Sequence, residues 1–203
     1  PPADGYLREL RRLCDHHGAL LVFDEVITAF GRLGAWFGSE HFGVLPDLTT
    51  FAKAVTSGYM PLGGVVVGPQ VREALEADPT FVLRHGYTYS GHAGACAAAM
   101  ANIDVLESEG LLERATHLGA RLERGLRALA DDGTVASVRG AVAVWAVALP
   151  DGVQSPAVRD RLLELGVVTR AIPPDTITFC PPLVTTDEQI DRIVDAVAVA
   201  VTR

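Results

Sequence analysis

From Tyr6 to about His17, the apolar positions Leu7, Leu10 and Leu13 recur every three residues among charged neighbours, and Gly18 follows. That spacing predicts an amphipathic helix with a glycine stop. The next residues, Ala19-Leu20-Leu21-Val22-Phe23, form an unbroken apolar run that ends in Asp24-Glu25. Such a run suits a strand buried on both faces of a parallel sheet. A glycine-rich loop through Gly31, Gly34, Gly38 and Gly43 is expected next. Two short strands, Leu48–Phe51 and Gly63–Gly68, and a helix near Val71–Ala77 complete this stretch.

Beyond the loop His85–Gly91, two helices run nearly end to end, parted by Gly110. The first is expected to turn Cys96, Met100, Ile103 and Leu106 to one face. The second carries Leu111, Ala115, Leu118, Leu122, Leu126 and Leu129 at three- and four-residue spacing. Past Asp131-Asp132-Gly133 the pattern changes, and Val142–Leu149 reads as a strand. Ser155-Pro156 reads as an N-cap and first helical residue, with Gly166 ending that helix. Val167–Arg170 and Thr176–Cys180 read as strands. Thr186 and Gln189 suit a capping box for a last helix with Ile190, Ile193, Val194, Val197 and Val201 inward. Strands alternate with helices up to about Asp132, which indicates α/β, and a smaller α+β unit follows.

Composition narrows the function classes. The chain has 203 residues, 49% hydrophobic and 21% charged, which is globular rather than disordered. Its net charge of −8, without a basic cluster, argues against nucleic acid as a partner. The longest apolar run, around Ala141–Leu149, suits a buried strand, so no membrane partner is expected. Pro1-Pro2-Ala3-Asp4-Gly5 lacks the basic start and apolar stretch of a signal peptide. Cys14, Cys96 and Cys180 are scattered, which fits a reducing cytoplasm without a disulfide framework. The histidines show no ligand spacing; His16 and His17, adjacent on a helix, cannot face one metal, and no metal site is expected. The chain opens on Pro-Pro without an initiator methionine and enters a helix at once, so it reads as a piece of something longer.

Lys53 changes the picture most. It is the only lysine among 17 basic residues. Guanidinium is always protonated, so arginine cannot replace lysine where a neutral amine must attack a carbonyl. Lys53 therefore reads either as a Schiff-base lysine or as a chance survivor in an arginine-biased composition. Asp24, at the carboxyl end of the most apolar strand, stands where ligands bind in open α/β sheets. Taken alone it reads more readily as the cap of the following turn, while Glu25 beside it points away and suits loop amides or solvent. Both Asp24 and Lys53 end predicted strands, which brings a carboxylate and an amine to one edge. Thr88 lies in His85-Gly86-Tyr87-Thr88-Tyr89-Ser90-Gly91-His92, ahead of a helix, where hydroxyls and amides suit a phosphate. Ser90 there is also a good helix cap. Gly58 and Gly63-Gly64 read as permissive turns around whatever Lys53 touches.

These segments resemble one family. Leu21-Val22-Phe23-Asp24-Glu25-Val26-Ile27-Thr28-Ala29-Phe30-Gly31-Arg32-Leu33-Gly34, then Pro46-Asp47-Leu48, Ala52-Lys53-Ala54-Val55-Thr56-Ser57-Gly58-Tyr59 and Pro61-Leu62-Gly63-Gly64 are similar to the class III aminotransferases. His85–His92 and Arg170 with Pro181-Pro182-Leu183 match further blocks in order. The wording looks closest to the ω-amino acid:pyruvate branch, and the chain resembles its C-terminal half. The resemblance implies an α/β fold: residues 1–108 as part of the pyridoxal-phosphate-binding large domain of fold type I, with a mostly parallel sheet, and 109–203 as a small α+β domain. It implies pyridoxal 5'-phosphate on Lys53, Asp24 at the pyridinium nitrogen and Val26 against one ring face. Thr88 would bond the phosphate in the partner subunit's site of a homodimer, and Arg170 would meet a substrate carboxylate. The substrates would be a small amine or ω-amino acid and a 2-oxo acid such as pyruvate. An aminomutase or decarboxylase on the same scaffold, or a non-catalytic interaction module, stand as alternatives. The small domain departs from the family at Gly140–Trp145 and Ile172–Asp175. The family's upstream phosphate cradle and ring-stacking aromatic are absent, so these 203 residues are expected to hold the cofactor weakly or not at all. Arg139 is expected to be structural.

Overall fold

The structure, a computed structural model, describes residues 1–202. They divide into two compact units. One comprises Pro2–Gly31 and Ala35–Gly110; the other comprises Arg32–Gly34 and Leu111–Arg203 with the first residue.

The first unit runs α1 (Tyr6–His17), β1 (Val22–Asp24), α2 (Gly38–Phe42), β2 (Leu48–Phe51), a single 3-10 turn (Lys53–Val55), β3 (Gly64–Val67), α3 (Pro69–Glu76) and α4 (Ala93–Ser108). Gly18, left-handed at φ 65°, stops α1 as its sequence position foretells. The sheet order is β1-β2-β3. β1 pairs with β2 in parallel, and β3 joins β2 antiparallel. β1 is not covered on both faces: Leu21 is buried, but Val22 is 51% exposed. The expected glycine loop contains the short helix α2. The buried stripe of α4 is Ala95, Ala99 and Leu106, while Cys96 and Met100 face solvent. The expected face was therefore displaced by one residue over most of the helix.

The second unit holds α5 (Leu111–Asp131), β4 (Ser137–Ala141), β5 (Val144–Ala148), α6 (Ser155–Glu164), β6 (Arg170–Ile172), β7 (Thr176–Phe179) and α7 (Asp187–Thr202). Its sheet is antiparallel throughout, in the order β4-β5-β7-β6. Trp145 pairs with Phe179, and Val147 with Ile177, so alternate residues of both strands enter one core. Leu118, Leu122, Leu126, Leu162, Ile190 and Val197 fill that core from the helices. Each full burial contributes roughly 1.5–3 kcal/mol. β4 was not foreseen: Ser137–Ala141 is short and carries a glycine, and pairing to β5 rather than local preference makes it a strand. Arg139 on β4 bonds the Thr176 hydroxyl at 3.2 Å, a structural role as expected. Ser155 does not cap α6; it lies inside the helix, its hydroxyl buried without a partner, and Gln154 holds the cap position. β6 begins only at Arg170, because Val167 packs into the core instead of joining the ladder. The foreseen capping box is present, with Gln189 Oε1 accepting from the Thr186 amide at 2.9 Å and Thr186 Oγ1 from the Gln189 amide at 3.3 Å.

Among the described residues, no helix is long and apolar enough to cross a membrane. Among the same residues, no group of three or more histidine, cysteine or acidic residues could hold a metal.

Candidate active site

Asp24 closes β1 opposite Thr50 of β2, and the two strands are parallel. Both therefore finish at the same edge of the sheet, and Lys53 stands two residues past the end of β2. Neighbouring strands lie about 4.8 Å apart, and ligands of open α/β sheets gather at the carboxyl edge. The structure thus brings the carboxylate and the lone lysine to one edge from adjacent strands.

Asp24 Oδ1 accepts from the Val26 amide at 3.1 Å and from the Thr50 hydroxyl at 3.2 Å. The turn-capping bond and the ligand-facing position therefore coexist, because only one carboxylate oxygen is engaged. The other has no protein partner among the described residues, and the carboxylate is exposed. Thr50 was not singled out from sequence; its place opposite Asp24 depends on register, which only the pairing of two distant segments reveals. Glu25 turns the other way, 2% exposed. It accepts from the amides of Gly38 and Ser39 and from the Thr28 hydroxyl, and so anchors the loop that begins at Val26. Val26 itself is half-buried. Asp47 supports the same strands from behind, accepting from the Leu21 amide at 2.6 Å and from Arg11 Nη1 at 2.8 Å. The Leu21 amide, and after it the Arg11 guanidinium, hold the Asp47 carboxyl below its ordinary pKa.

Lys53 is exposed and has φ +45°, in the left-handed region. A side-chain-bearing residue pays about 1–2 kcal/mol there. Such outliers persist only where surroundings over-determine them, and they cluster at functional sites. Val55 at the end of the turn and Thr56 after it are both buried and supply part of that hold. Thr56 also donates its hydroxyl to the Met60 carbonyl at 2.6 Å. Gly64 serves close approach rather than turning: a Cβ there would stand 2.5 Å from the Phe51 ring. A cleft of about 360 Å³ runs beside β1 between Leu7 and Leu10 of α1 and Phe42 of α2. It reaches Asp24, but Lys53 is not among its walls.

Thr88 lies in a stretch, residues 76–94, in which every residue is exposed. Ser90 accepts from the Tyr87 amide at 2.9 Å, making a turn around Thr88, and His92 rather than Ser90 caps α4. No bond joins Thr88 to Asp24 or Lys53. Arg170 opens β6 in the other unit, exposed, with its carbonyl accepting from the Thr178 hydroxyl at 3.3 Å.

The residues present fit pyridoxal phosphate in two respects. A primary amine stands at the edge with no ion-pair partner among the described residues, and beside it an acid keeps one oxygen open to receive a ring N–H.

A family model, aminotransferase class III, matches residues 1–201. The chain belongs to this family, whose members depend on pyridoxal phosphate. It is 41% identical to a diaminobutyrate–2-oxoglutarate transaminase of Halomonas elongata over 96% of this chain and 45% of that protein. It is 39% identical to a β-alanine–pyruvate aminotransferase of Pseudomonas aeruginosa over 98% and 46%. Among solved structures, an amine transaminase from an uncultivated Pseudomonas species in its pyridoxal-phosphate-bound form superposes with a TM-score of 0.93 at 36% identity, covering 100% of this chain and 48% of that one. A transaminase from the marine bacterium Virgibacillus gives 0.94 at 38% identity, covering 99% and 49%. The chain spans about half the length of the relatives it matches.

Proposed function

We propose that the protein to which this chain belongs is a transaminase that moves an amino group from an amine or ω-amino acid to a 2-oxo acid such as pyruvate. The observation that carries the reading is the shared edge of Asp24 and Lys53 on adjacent parallel strands. Pyridoxal phosphate, when bound, supplies an aldehyde that receives the amino group and a ring that draws electrons from the carbon bearing it. Lys53 Nζ would hold the cofactor, and the same amine would move the proton at the substrate Cα. Asp24 holds the proton on the ring nitrogen through its open oxygen, and the Thr50 hydroxyl and Val26 amide fix the carboxylate for that task. Val26 packs against the ring. Thr88 bonds the phosphate in the partner subunit of a homodimer, and Arg170 receives a substrate carboxylate in a two-pronged contact. In this reading residues 1–108 belong to the large domain of fold type I and 109–203 form its small domain, in a cytoplasmic enzyme. The pyruvate preference follows relatives such as the β-alanine–pyruvate aminotransferase. The diaminobutyrate–2-oxoglutarate transaminase marks the other acceptor to be compared.

The test supplies the full gene product with pyridoxal phosphate, an ω-amino acid and either pyruvate or 2-oxoglutarate. Formation of the matching amino acid, one for each donor consumed and lost in Lys53→Ala, is expected. Release of carbon dioxide or an isomerised donor would contradict transfer.

A further inference from the structure

The buried stripe of α4 has a polar member. Ala95, Ala99 and Leu106 are buried, and Asn102, half-buried, occupies the intervening position at helical spacing. Its side chain binds the turn that carries Lys53 through both amide hydrogens and its oxygen. Asn102 Nδ2 donates to the carbonyl of Ala54 at 2.9 Å and to that of Val55 at 3.3 Å. Its Oδ1 accepts from the Ser57 hydroxyl at 2.6 Å. Three groups of one turn are thus bound by one side chain from a different helix, 45 to 48 residues away in sequence.

That turn needs an outside hold. Lys53 at φ +45° and Ser57 at φ +49° are both left-handed without being glycine, and Gly58 follows at φ +81°. The amide bonds nearest Lys53 are long: the Thr56 amide reaches the Lys53 carbonyl at 3.3 Å, and the Ser57 amide reaches Ala54 at 3.2 Å; the shorter Thr56 hydroxyl bond to Met60 lies at the far end of the turn. Lys53 contributes no side-chain bond of its own. Short turns of this type are weakly held by themselves. Strained backbone persists only when its neighbours determine it.

We propose that Asn102 is a positioning residue for Lys53: by clamping the carbonyls of Ala54 and Val55 and the Ser57 hydroxyl, it keeps the lysine's backbone left-handed and so aims its amine along the edge that Asp24 shares. The functional half of this statement rests on the reading of Lys53 as the cofactor-bearing amine; the backbone half does not.

The experiment reads both halves on the 203-residue chain. Amide hydrogen exchange at Thr56 and Ser57 is followed in the native protein, in Asn102→Ala, in Asn102→Asp, and in Ser57→Ala. Amides of the β2–β3 ladder, such as Thr49, serve as the internal standard. In parallel, pyridoxal phosphate is added at increasing concentration, trapped with borohydride, and located by peptide mass. Asn102→Asp matches the native side chain in size and keeps the acceptor but loses both donors, so it remains informative should Asn102→Ala fail to fold.

Both Asn102 variants are expected to speed exchange at Thr56 and Ser57 at least tenfold with the ladder unchanged. Half-maximal trapping at Lys53 should need at least fivefold more cofactor, and Ser57→Ala should have a smaller effect on both. Exchange that rises equally throughout the unit would mean a merely structural asparagine and overturn the proposal. Unchanged exchange at the turn, or weaker trapping without faster exchange there, would also overturn it. Faster local exchange with no trapping at Lys53 in the native chain would leave the clamp standing; the same trapping on the full gene product then decides the cofactor role of Lys53, and no label there would remove it.

Discussion

At the scale of single residues, the two that matter most differ in how they are held. Asp24 is fixed by two bonds to one oxygen, whereas Lys53 is fixed only through its backbone. Lys53→Ala should therefore leave stability within about 0.5 kcal/mol of the native chain, as expected for an exposed, unpartnered side chain. Lys53→Gly should exceed Lys53→Ala by roughly 0.5–1 kcal/mol in urea unfolding, since glycine relieves the positive φ. Asp47 is the opposite case. Its folded pKa lies below that of the unfolded carboxyl, so its stabilisation is complete above about pH 4 and lost as pH falls through the folded value. Asp47→Asn should cost roughly 1–3 kcal/mol at pH 7. That difference should shrink toward zero in strong acid; a constant difference at every pH would disprove the assignment. The sequence made Lys53 conspicuous by its solitude and Asp24 by its place after an apolar run. It could not expose Thr50 or Asn102, whose roles depend on a strand register and on a helix face that meets the chain 45 residues away.

Among elements, the long helices were legible because their apolar residues recur at unambiguous spacing, as in α5, where Leu111, Ala115, Leu118, Leu122, Leu126 and Leu129 are all buried. The displaced face of α4 has a physical cause: alanine-rich helices carry little amphipathic contrast, so small buried residues and an asparagine look like surface. β4 was missed because cross-strand pairing, not local sequence, holds it. α5 also contains Gly119, whose missing Cβ leaves room for the Val142 carbonyl at the β4–β5 hairpin. Helix propensity alone would make Gly119→Ala stabilising by about 1 kcal/mol. The close approach predicts the reverse sign, a loss of roughly 1–3 kcal/mol by overpacking. A chemical-denaturation midpoint decides between them, and a stabilised variant would show that the hairpin does not press on the helix.

For the molecule as a whole, the chain belongs to the class III aminotransferase family and Asp24 and Lys53 share one sheet edge, while β1 remains half uncovered. An apolar strand with Val22 exposed has the composition of one enclosed on both sides, and the relatives are about twice as long as this chain. The 203-residue chain should accordingly capture pyridoxal phosphate weakly, yet at the right atom. The most direct measurement is the saturation curve for borohydride trapping of pyridoxal phosphate, compared between the native chain and Asp24→Ala. The account predicts saturable label on Lys53 that needs severalfold more cofactor once the carboxylate is gone. Label that never saturates, or a curve indifferent to Asp24, would contradict a site built by these two residues.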